Sequence, residues 1–451
     1  MKAGLLLILG ILTFQQCRPT EDFSERVFLK YYGKAGSQTA VDILLNTDGT
    51  FFILGTADAR SNHAAAYSRI YLAKADKDGN CISEMLYTLY KENTRQAEGT
   101  AVAKDLEPAA DGNLLILAET GDPNGSYQLI KVNPSDSVPL AVMYSKSANG
   151  WALHPTSVTR IQGGKNLPAG YMICGASDGG TANSTSAAMM TYADENLTEV
   201  PNFTTLYSQG TRDGAVKAFQ FDESYIVVFG STNSPTYALS DIHNSSNFWV
   251  YLIDQYGVPK ASRKINFKLS VSDNVWTDDS DEFAAAAIQT GAASGNGFMV
   301  CGFKQTSGPQ QVSTYPCFLK LTSALLFQDS DTEFYVSTDG KDDNLRTGNI
   351  FQSPGYDPYK MASVCSASDG GYYALYTRNA AKGEIVLYKL DMSGRKLWSH
   401  VFGGDFEDYA AAVAEGIDGS IIVYGTITVG TAVTSDKKIA LFKLNKDGRL
   451  E

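Results

Sequence analysis

Short apolar runs separated by tight polar turns recur about once every sixty residues along this chain, and seven copies can be followed. The fullest copy has the letters DGGYYALY at 369–376, VLYKLDMSG at 386–394 and LWSHVFGG at 397–404. A fixed period of this size, built from strand-like runs and turns, predicts β-strands arranged radially around an axis.

Each copy follows the same order of hydrophobic and polar positions. A strand of small or alternating residues, such as 39–45, leads into an Asp-Gly turn of the kind at Asp48-Gly49, which is a strong hairpin signal. The second strand is almost entirely apolar and usually ends in glycine, as at Gly55, which indicates burial on both faces. A third strand, a second polar-glycine turn and a fourth strand follow, so each copy predicts four strands.

The two ends of the chain are expected to complete one unit together. The seventh copy stops at 448–451, where its fourth strand should begin, and the missing strand reads from 26–33, which resembles 397–403. Pairing of these ends leaves no free sheet edge. The predicted fold is therefore all-β: a seven-bladed β-propeller of four-stranded antiparallel blades, closed by the N-terminal strand in the last blade.

The letters DGGY at 369–372, LYKLDMSG at 387–394 and WSHVFGG at 398–404 resemble the DGG-type propeller repeats common in surface lipoproteins and secreted proteins of Bacteroidota. The resemblance covers almost all of 26–451. It implies the fold but little about activity, because propellers carry unrelated functions.

The first residues predict export. Lys2 precedes an apolar run at 5–12 that is too short to span a bilayer, and Cys17 with a polar, acidic stretch follows. This resembles a bacterial lipoprotein signal with a surface-export tail, although Phe14 and Gln16 depart from the usual residues, so cleavage without acylation is the alternative. We expect a signal peptide at 1–16, a lipid-anchored tether at 17–25 and the propeller at 26–451, on the outer membrane.

The charge and the cysteine content limit which partners and which cross-links are expected. The net charge is −12, the pI is about 4.9, and no cluster of Lys and Arg occurs. Nucleic-acid binding requires a basic surface, so it is disfavoured. Besides Cys17 there are five scattered cysteines, an odd number that argues against a disulfide framework. A pair between Cys301 and Cys317 on neighbouring strands is the exception to consider.

The two ends of the propeller are expected to differ. Turns joining strands one to two and three to four are short; we call their side the plain face. Connections joining strands two to three and consecutive blades are long; we call their side the decorated face, and they include 305–315 and 337–360. Irregular loops on a rigid scaffold are where function concentrates. Their aromatic residues are the predicted binding residues: Trp151, Tyr237, Trp276, Tyr315, Tyr356 and Tyr359.

Metal and catalytic motifs are scarce. Four histidines occur without a His-Glu-x-x-His or Cys-x-x-Cys motif, so zinc has little support, and no cofactor is expected. The acidic run with Asp278, Asp279 and Asp281 is a weak candidate for calcium. No Gly-x-Ser-x-Gly motif appears.

The sequence is compatible with three functions. The first is a non-enzymatic surface lipoprotein that binds another protein, as an accessory subunit of an outer-membrane uptake or secretion complex. The second is a polysaccharide-binding protein that uses the loop aromatics for stacking on sugars. The third is a hydrolase or lyase with acids lining the central channel, for which a clustered pair of Asp or Glu with a His at the channel mouth would be the sign.

Overall fold

The computed structural model describes most of the propeller but not its N-terminal segment or its longer connections. The described residues are 27–33, 36–58, 68–89, 100–120, 126–145, 151–178, 186–201, 203, 206–208, 212–233, 246–265, 281–291, 296–307, 312–323, 334–336, 345, 360–378, 382–430 and 435–450. Within these ranges the regular structure is all β-strand. No described helix is long and apolar enough to cross a membrane.

The strands of the first four units follow each other closely. In chain order they are β1 (Phe28–Tyr32), β2 (Gln38–Leu45), β3 (Phe51–Asp58), β4 (Ser68–Ala75), β5 (Cys81–Tyr87), β6 (Ala101–Pro108), β7 (Leu114–Thr120), β8 (Tyr127–Val132), β9 (Ala141–Ser145), β10 (Ala152–Ile161), β11 (Gly170–Asp178), β12 (Ser186–Asp194), β13 (Leu206–Tyr207), β14 (Asp213–Gln220), β15 (Tyr225–Thr232), β16 (Asn247–Asp254) and β17 (Pro259–Ile265).

The remaining strands continue the pattern to the C-terminal unit. They are β18 (Asp281–Thr290), β19 (Gly297–Ser307), β20 (Val312–Thr322), β21 (Phe334–Val336), β22 (Ala362–Ser366), β23 (Tyr372–Arg378), β24 (Glu384–Leu390), β25 (Lys396–Phe402), β26 (Tyr409–Glu415), β27 (Ile421–Gly430) and β28 (Ser435–Leu444).

These strands form seven four-stranded antiparallel sheets, as predicted. Blade 1 contains β2 to β5, and blades 2 to 6 contain the next five sets of four strands in order. Blade 7 has the order β1-β28-β27-β26, with Phe28 opposite Lys443 and Tyr32 opposite Ile439. The prediction that the N-terminal strand completes the last blade is therefore confirmed.

The apolar core is divided among the seven contacts between blades. Each of the seven clusters of buried side chains found among the described residues combines residues of two consecutive blades. The cluster at the closure, for example, joins Ile53 and Tyr71 of blade 1 to Tyr424 and Ile439 of blade 7. A blade thus buries its two faces only against its neighbours, which explains why the middle strands are apolar throughout.

The recurring glycines have two separate causes. In the Asp-Gly turns glycine takes a positive φ, as at Gly49 with +80°, while the Asp48 carboxylate accepts the N–H of Thr50 at 2.9 Å. Within the second strand the reason is crowding. A Cβ on Gly55 would lie 2.7 Å from the Thr39 carbonyl and 2.5 Å from Ile439 of blade 7.

The residue after that crowded position links consecutive blades. Thr56, Ser231, Thr377 and Thr426 each accept, through the side-chain hydroxyl, a backbone N–H of the next blade's first strand, at Ala103, Ala284, Ala410 and Ala40 respectively. The distances are 3.1, 2.8, 2.9 and 2.9 Å. Buried N–H groups need a partner, so these four hydroxyls hold the first strands in place.

Two sequence predictions need correction. Most of the stretch 305–315 is strand and not loop, because β19 continues to Ser307 and β20 begins at Val312, with Gln305 opposite Thr314; 308–311 lie outside the described residues. The threonines there suit a paired strand, which explains the extended hairpin. The Cys301–Cys317 disulfide does not form; Cys301 lies opposite Phe318, and none of the five described cysteines is in a disulfide.

Replacing Thr426 by Val should lower the free energy of unfolding by about 1–3 kcal/mol, because the buried N–H of Ala40 loses its acceptor at the ring closure. Thr426→Ser keeps the hydroxyl, so its free energy of unfolding should fall clearly less than that of Thr426→Val. Urea denaturation followed by intrinsic fluorescence measures both. Equal stability of the Val variant and the native protein would contradict the role of the hydroxyl.

Candidate functional site

One position of the first strand is structurally equivalent in all seven blades. In six blades the pairing of the first and second strands shifts by one residue, and the position after the shift is the same in each; blade 6 reaches it without a shift. We call this set the axial ring. From blade 1 to blade 7 it consists of Asp42, Asp105, Ser157, Lys217, Ala286, Ser363 and Ala412.

Ion pairs cross the axis from this ring. Lys217 of blade 4 lies 3.0 Å from a carboxylate oxygen of Asp105 in blade 2. Lys360, just before blade 6, contacts Asp105 at 2.9 Å and Asp42 of blade 1 at 2.8 Å. Because these pairs join blades that are not neighbours, they can form only across the centre. We call Asp42, Asp105, Lys217 and Lys360 the axial cluster.

The same acids also hold the backbone of the next blade. Asp42 accepts the N–H of Leu106 at 3.2 Å, and Asp105 accepts the N–H of Val158 at 2.9 Å. Ser363 makes the corresponding bond, accepting the N–H of Val413 at 3.1 Å. The axial carboxylates therefore act in the contacts between blades as well as in the ion pairs.

The two acids of the axial cluster have opposite electrostatic surroundings. Burial raises the pKa of Asp42 to about 7, and neighbouring Asp105 adds to this, while Lys360 opposes it. Burial would also raise the pKa of Asp105, but Lys217 and Lys360 outweigh it and hold that pKa well below its ordinary value. Burial would lower the pKa of Lys360, yet the two acids raise it. Lys217 and Lys360 therefore stay protonated and Asp105 stays ionised, whereas the pKa of Asp42 lies near neutrality.

A second cluster joins blades 2 and 3 at the decorated-face end of their strands. Glu119 lies 2.7 Å from Lys104 and 2.7 Å from Nδ1 of His154. Burial would raise the pKa of Glu119, but Lys104 and His154 lower it. Nε2 of His154 is buried and has no hydrogen-bond partner among the described residues. A histidine oriented by a carboxylate can accept or donate a proton, or bind a polar ligand group.

The aromatic residues predicted for binding are only partly within the described residues. Trp151 is half-buried just before β10, three residues ahead of His154. Tyr315 is half-buried in β20 opposite Lys304, so it lies in a strand and not in a loop. The other four lie outside the described residues: Tyr237, Trp276, Tyr356 and Tyr359. The structure does not bring Trp151 and Tyr315 together, since they belong to blades 3 and 5.

The anchor and metal candidates fall mostly outside the described residues as well. Cys17, Asp278 and Asp279 lie there. Asp281 is the first residue of β18, and its carboxylate accepts the N–H of Ser246 at 2.7 Å. Among the residues that the structure describes, no group of three or more His, Cys, Asp or Glu side chains could hold a metal ion.

Sequence reasoning missed the axial cluster, although a signal was present. Asp42, Asp105 and Lys217 are charged residues at the same position of the repeat, in first strands that contain many small and apolar residues. A charged residue in a buried strand needs a charged partner. Lys360 carried no such signal, because it precedes β22 at the end of a long connection.

Comparisons with known proteins add no family. No family model matches the chain, and no curated protein matches it. Among solved structures, Drosophila Semaphorin 1a is 11% identical, with 93% of this chain and 88% of that chain covered and a TM-score of 0.48. Drosophila Plexin A, solved in complex with Semaphorin 1b, is 8% identical, with 92% and 86% covered and a TM-score of 0.47.

A bacterial structure belongs to the same group of matches. A protein of unknown function from Dyadobacter fermentans is 12% identical, with 93% of this chain and 100% of that chain covered and a TM-score of 0.43. Identities and TM-scores at this level carry no argument about function.

Replacing Asp42 by Asn should remove a pH dependence of stability. A carboxyl whose pKa rises on folding, here from 3.8 to about 7, stabilises the protein below its unfolded pKa and loses that contribution as pH rises through the folded pKa. Between about pH 4 and pH 8 the free energy of unfolding should therefore fall by about 2–4 kcal/mol more in the native protein than in Asp42→Asn. Thermal and urea unfolding across this range measure the difference.

Asp405→Asn is the matched control for that comparison. It changes the net charge equally, and the Asp405 side chain is 90% exposed. Its stability profile should run parallel to that of the native protein. Parallel profiles of Asp42→Asn and the native protein would show that Asp42 does not titrate in this range.

Proposed function

We propose that this protein is an outer-membrane lipoprotein on the cell surface whose propeller is a non-enzymatic binding module, acting as an accessory subunit of an uptake or secretion complex. The observation that carries the proposal is the bonding of the axial acids. Asp42 and Asp105 each bond a lysine and a backbone N–H of the next blade, so both have a structural role. This favours recognition on the faces of the ring over chemistry at its centre.

The decorated face is the surface proposed for the protein partner. On the plain face, turns such as 46–50 and 391–395 are short and closed by their own backbone and side-chain hydrogen bonds. The decorated face has the longer connections, including 266–280 and 337–361. The half-buried Trp151 and the cluster of Glu119, Lys104 and His154 lie at this face. Aromatic and charged groups that are held in fixed positions are typical anchors of protein interfaces.

A polysaccharide ligand is the second candidate. Trp151 is half-buried and lies three residues before His154, so it could supply a stacking surface at the same end of blade 3 as the Glu119–His154 pair, as sugar recognition requires. Retardation in gels that contain polysaccharide, lost in Trp151→Ala or Trp276→Ala, would identify this function. The adjacent carboxyl groups of Asp42 and Asp105 are the argument for a hydrolase. Their ion pairs with lysine make that function less favoured.

Purification from detergent-solubilised membranes under gentle conditions should recover the protein with a membrane protein in a fixed ratio. Trp151→Ala should reduce the recovered partner by about tenfold, as loss of one interface anchor does. Quantitative mass spectrometry of the purified complex measures the ratio.

Tyr256→Ala is the matched control, because Tyr256 is an exposed aromatic residue in a plain-face turn. It should leave the ratio unchanged. Recovery of the native protein alone, in several mild detergents, would overturn the proposed accessory role. Equal loss of partner in both variants would move the interface away from the decorated face.

A further inference from the structure

Exposed apolar side chains gather on the plain face of the described structure. Ten of the thirteen large hydrophobic residues that are exposed lie in plain-face turns or within two residues of them. They are Leu29, Ile82, Val138, Leu140, Tyr256, Val258, Met392, Leu397, Ile417 and Leu450. Single exposed hydrophobic residues are ordinary, but a set on one face indicates a contact surface.

Eight of these ten residues belong to four consecutive blades around the ring closure. Blades 6, 7, 1 and 2 follow each other at the closure, and all four contribute. We call these residues the apolar arc: Met392 and Leu397 of blade 6, Leu29, Ile417 and Leu450 of blade 7, Ile82 of blade 1, and Val138 and Leu140 of blade 2. Leu397 is 59% exposed and Ile417 is 69% exposed, so these side chains have little cover from the protein itself.

The N-terminal strand begins in the middle of this arc. Phe28 pairs with Lys443, next to the turn 445–449, whereas Tyr32 pairs with Ile439 farther from the plain face. The start of β1 is also fixed to the plain-face turn of blade 1. Lys30 donates to Asn80 at 3.0 Å, and the Tyr32 hydroxyl donates to the Gly79 carbonyl at 2.6 Å. The chain that precedes β1 therefore joins the propeller at the plain face.

The length of that chain limits where an anchor at Cys17 can be. Ten residues separate Cys17 from Phe28, and they can span at most about 35 Å. Each blade is about 25 Å tall, since a strand of eight residues such as β2 rises about 3.3 Å per residue. A membrane on the decorated side would use about 25 Å of that length to pass the blade, whereas one on the plain side is adjacent.

We propose that the plain face rests on the lipid surface, with the apolar arc inserted among the headgroups, so that the decorated face points away from the membrane. This inference rests on the proposed lipid anchor at Cys17. A lipid chain and an apolar surface together hold a protein on a bilayer more firmly than a single chain does.

Insertion of apolar side chains, and not attraction of charge, is the expected mode of contact. The turns that carry the arc place acids beside bases, such as Asp76 with Lys77 in blade 1 and Asp447 with Arg449 in blade 7. A mixed surface of this kind has no strong preference for anionic lipid. Contact should therefore occur on zwitterionic phosphatidylcholine vesicles as well as on vesicles that contain phosphatidylglycerol.

Native Cys81 is a suitable probe of this contact. It is exposed, it is the first residue of β5, and it neighbours Ile82 of the arc. Burial raises the pKa of the Cys365 thiol to about 12, so Cys81 is the thiol expected to react. The full-length acylated protein, labelled at Cys81 with a polarity-sensitive fluorophore, is reconstituted in phosphatidylcholine vesicles that contain lipids with a spin-label quencher.

The probe at Cys81 should be quenched at least about twice as strongly as a probe on the decorated face, because quenching follows depth in the headgroup region. For the second probe, Lys382→Cys is combined with Cys81→Ser; Lys382 is exposed in the connection between β23 and β24. Leu397→Ser together with Ile417→Ser should reduce quenching at Cys81. The matched pair Leu86→Ser and Val401→Ser, exposed farther along the outer strands, should not.

The outcomes separate the inference from the function on which it rests. Equal quenching at both probes, stronger quenching at residue 382, or no quenching at Cys81 of the acylated protein overturns the inferred orientation and leaves the anchor intact. Absence of fatty-acid incorporation at Cys17 in cells, compared with Cys17→Ser, overturns the anchor and the orientation with it. Quenching that requires phosphatidylglycerol would contradict insertion as the mode of contact.

Discussion

Packing between consecutive blades is the interaction on which the rest of this structure depends. Every described apolar cluster lies between two blades, so no blade has a core of its own. The ring must therefore close for the first and last blades to bury their faces, and β1 closes it by pairing with β28. The hydroxyls of Thr56 and Thr426 also connect consecutive blades, since each accepts a backbone N–H of the following blade.

At the axis, ion pairs instead of apolar contacts connect the blades. First strands of seven blades converge there, and the charged side chains are largely buried, with Asp105 6% exposed and Lys217 21% exposed. Asp42 and Asp105 are stabilised by Lys360, which reaches them from blade 6, and by N–H groups of the next blade. Buried ion pairs add little net stability, but breaking one leaves a charge without a partner. The axial cluster therefore fixes how the blades are arranged around the centre.

Because the axial charges have a structural role, the function is expected on the two faces of the ring. Closure by the N-terminal strand places the start of β1, and with it any anchor, at the plain face, where the exposed apolar side chains lie. The decorated face then carries the long connections and the cluster around Glu119 and His154. In the proposed orientation, the strand exchanged between the chain ends places one face on the membrane side and leaves the other face for recognition.

The repeat, the four strands per blade and the closure could be predicted from the residues, because strand periodicity and turn residues are local properties that recur along the chain. The sequence also indicated which connections are long, with the exception of 305–315, where β19 and β20 extend the hairpin. It did not reveal that Lys360 meets Asp42 and Asp105. Those residues are far apart in the chain and in non-neighbouring blades, so only the closing of the ring brings them together. The pKa of Asp42 was likewise decided by the tertiary structure, since burial and neighbouring charges set it, and a sequence contains neither.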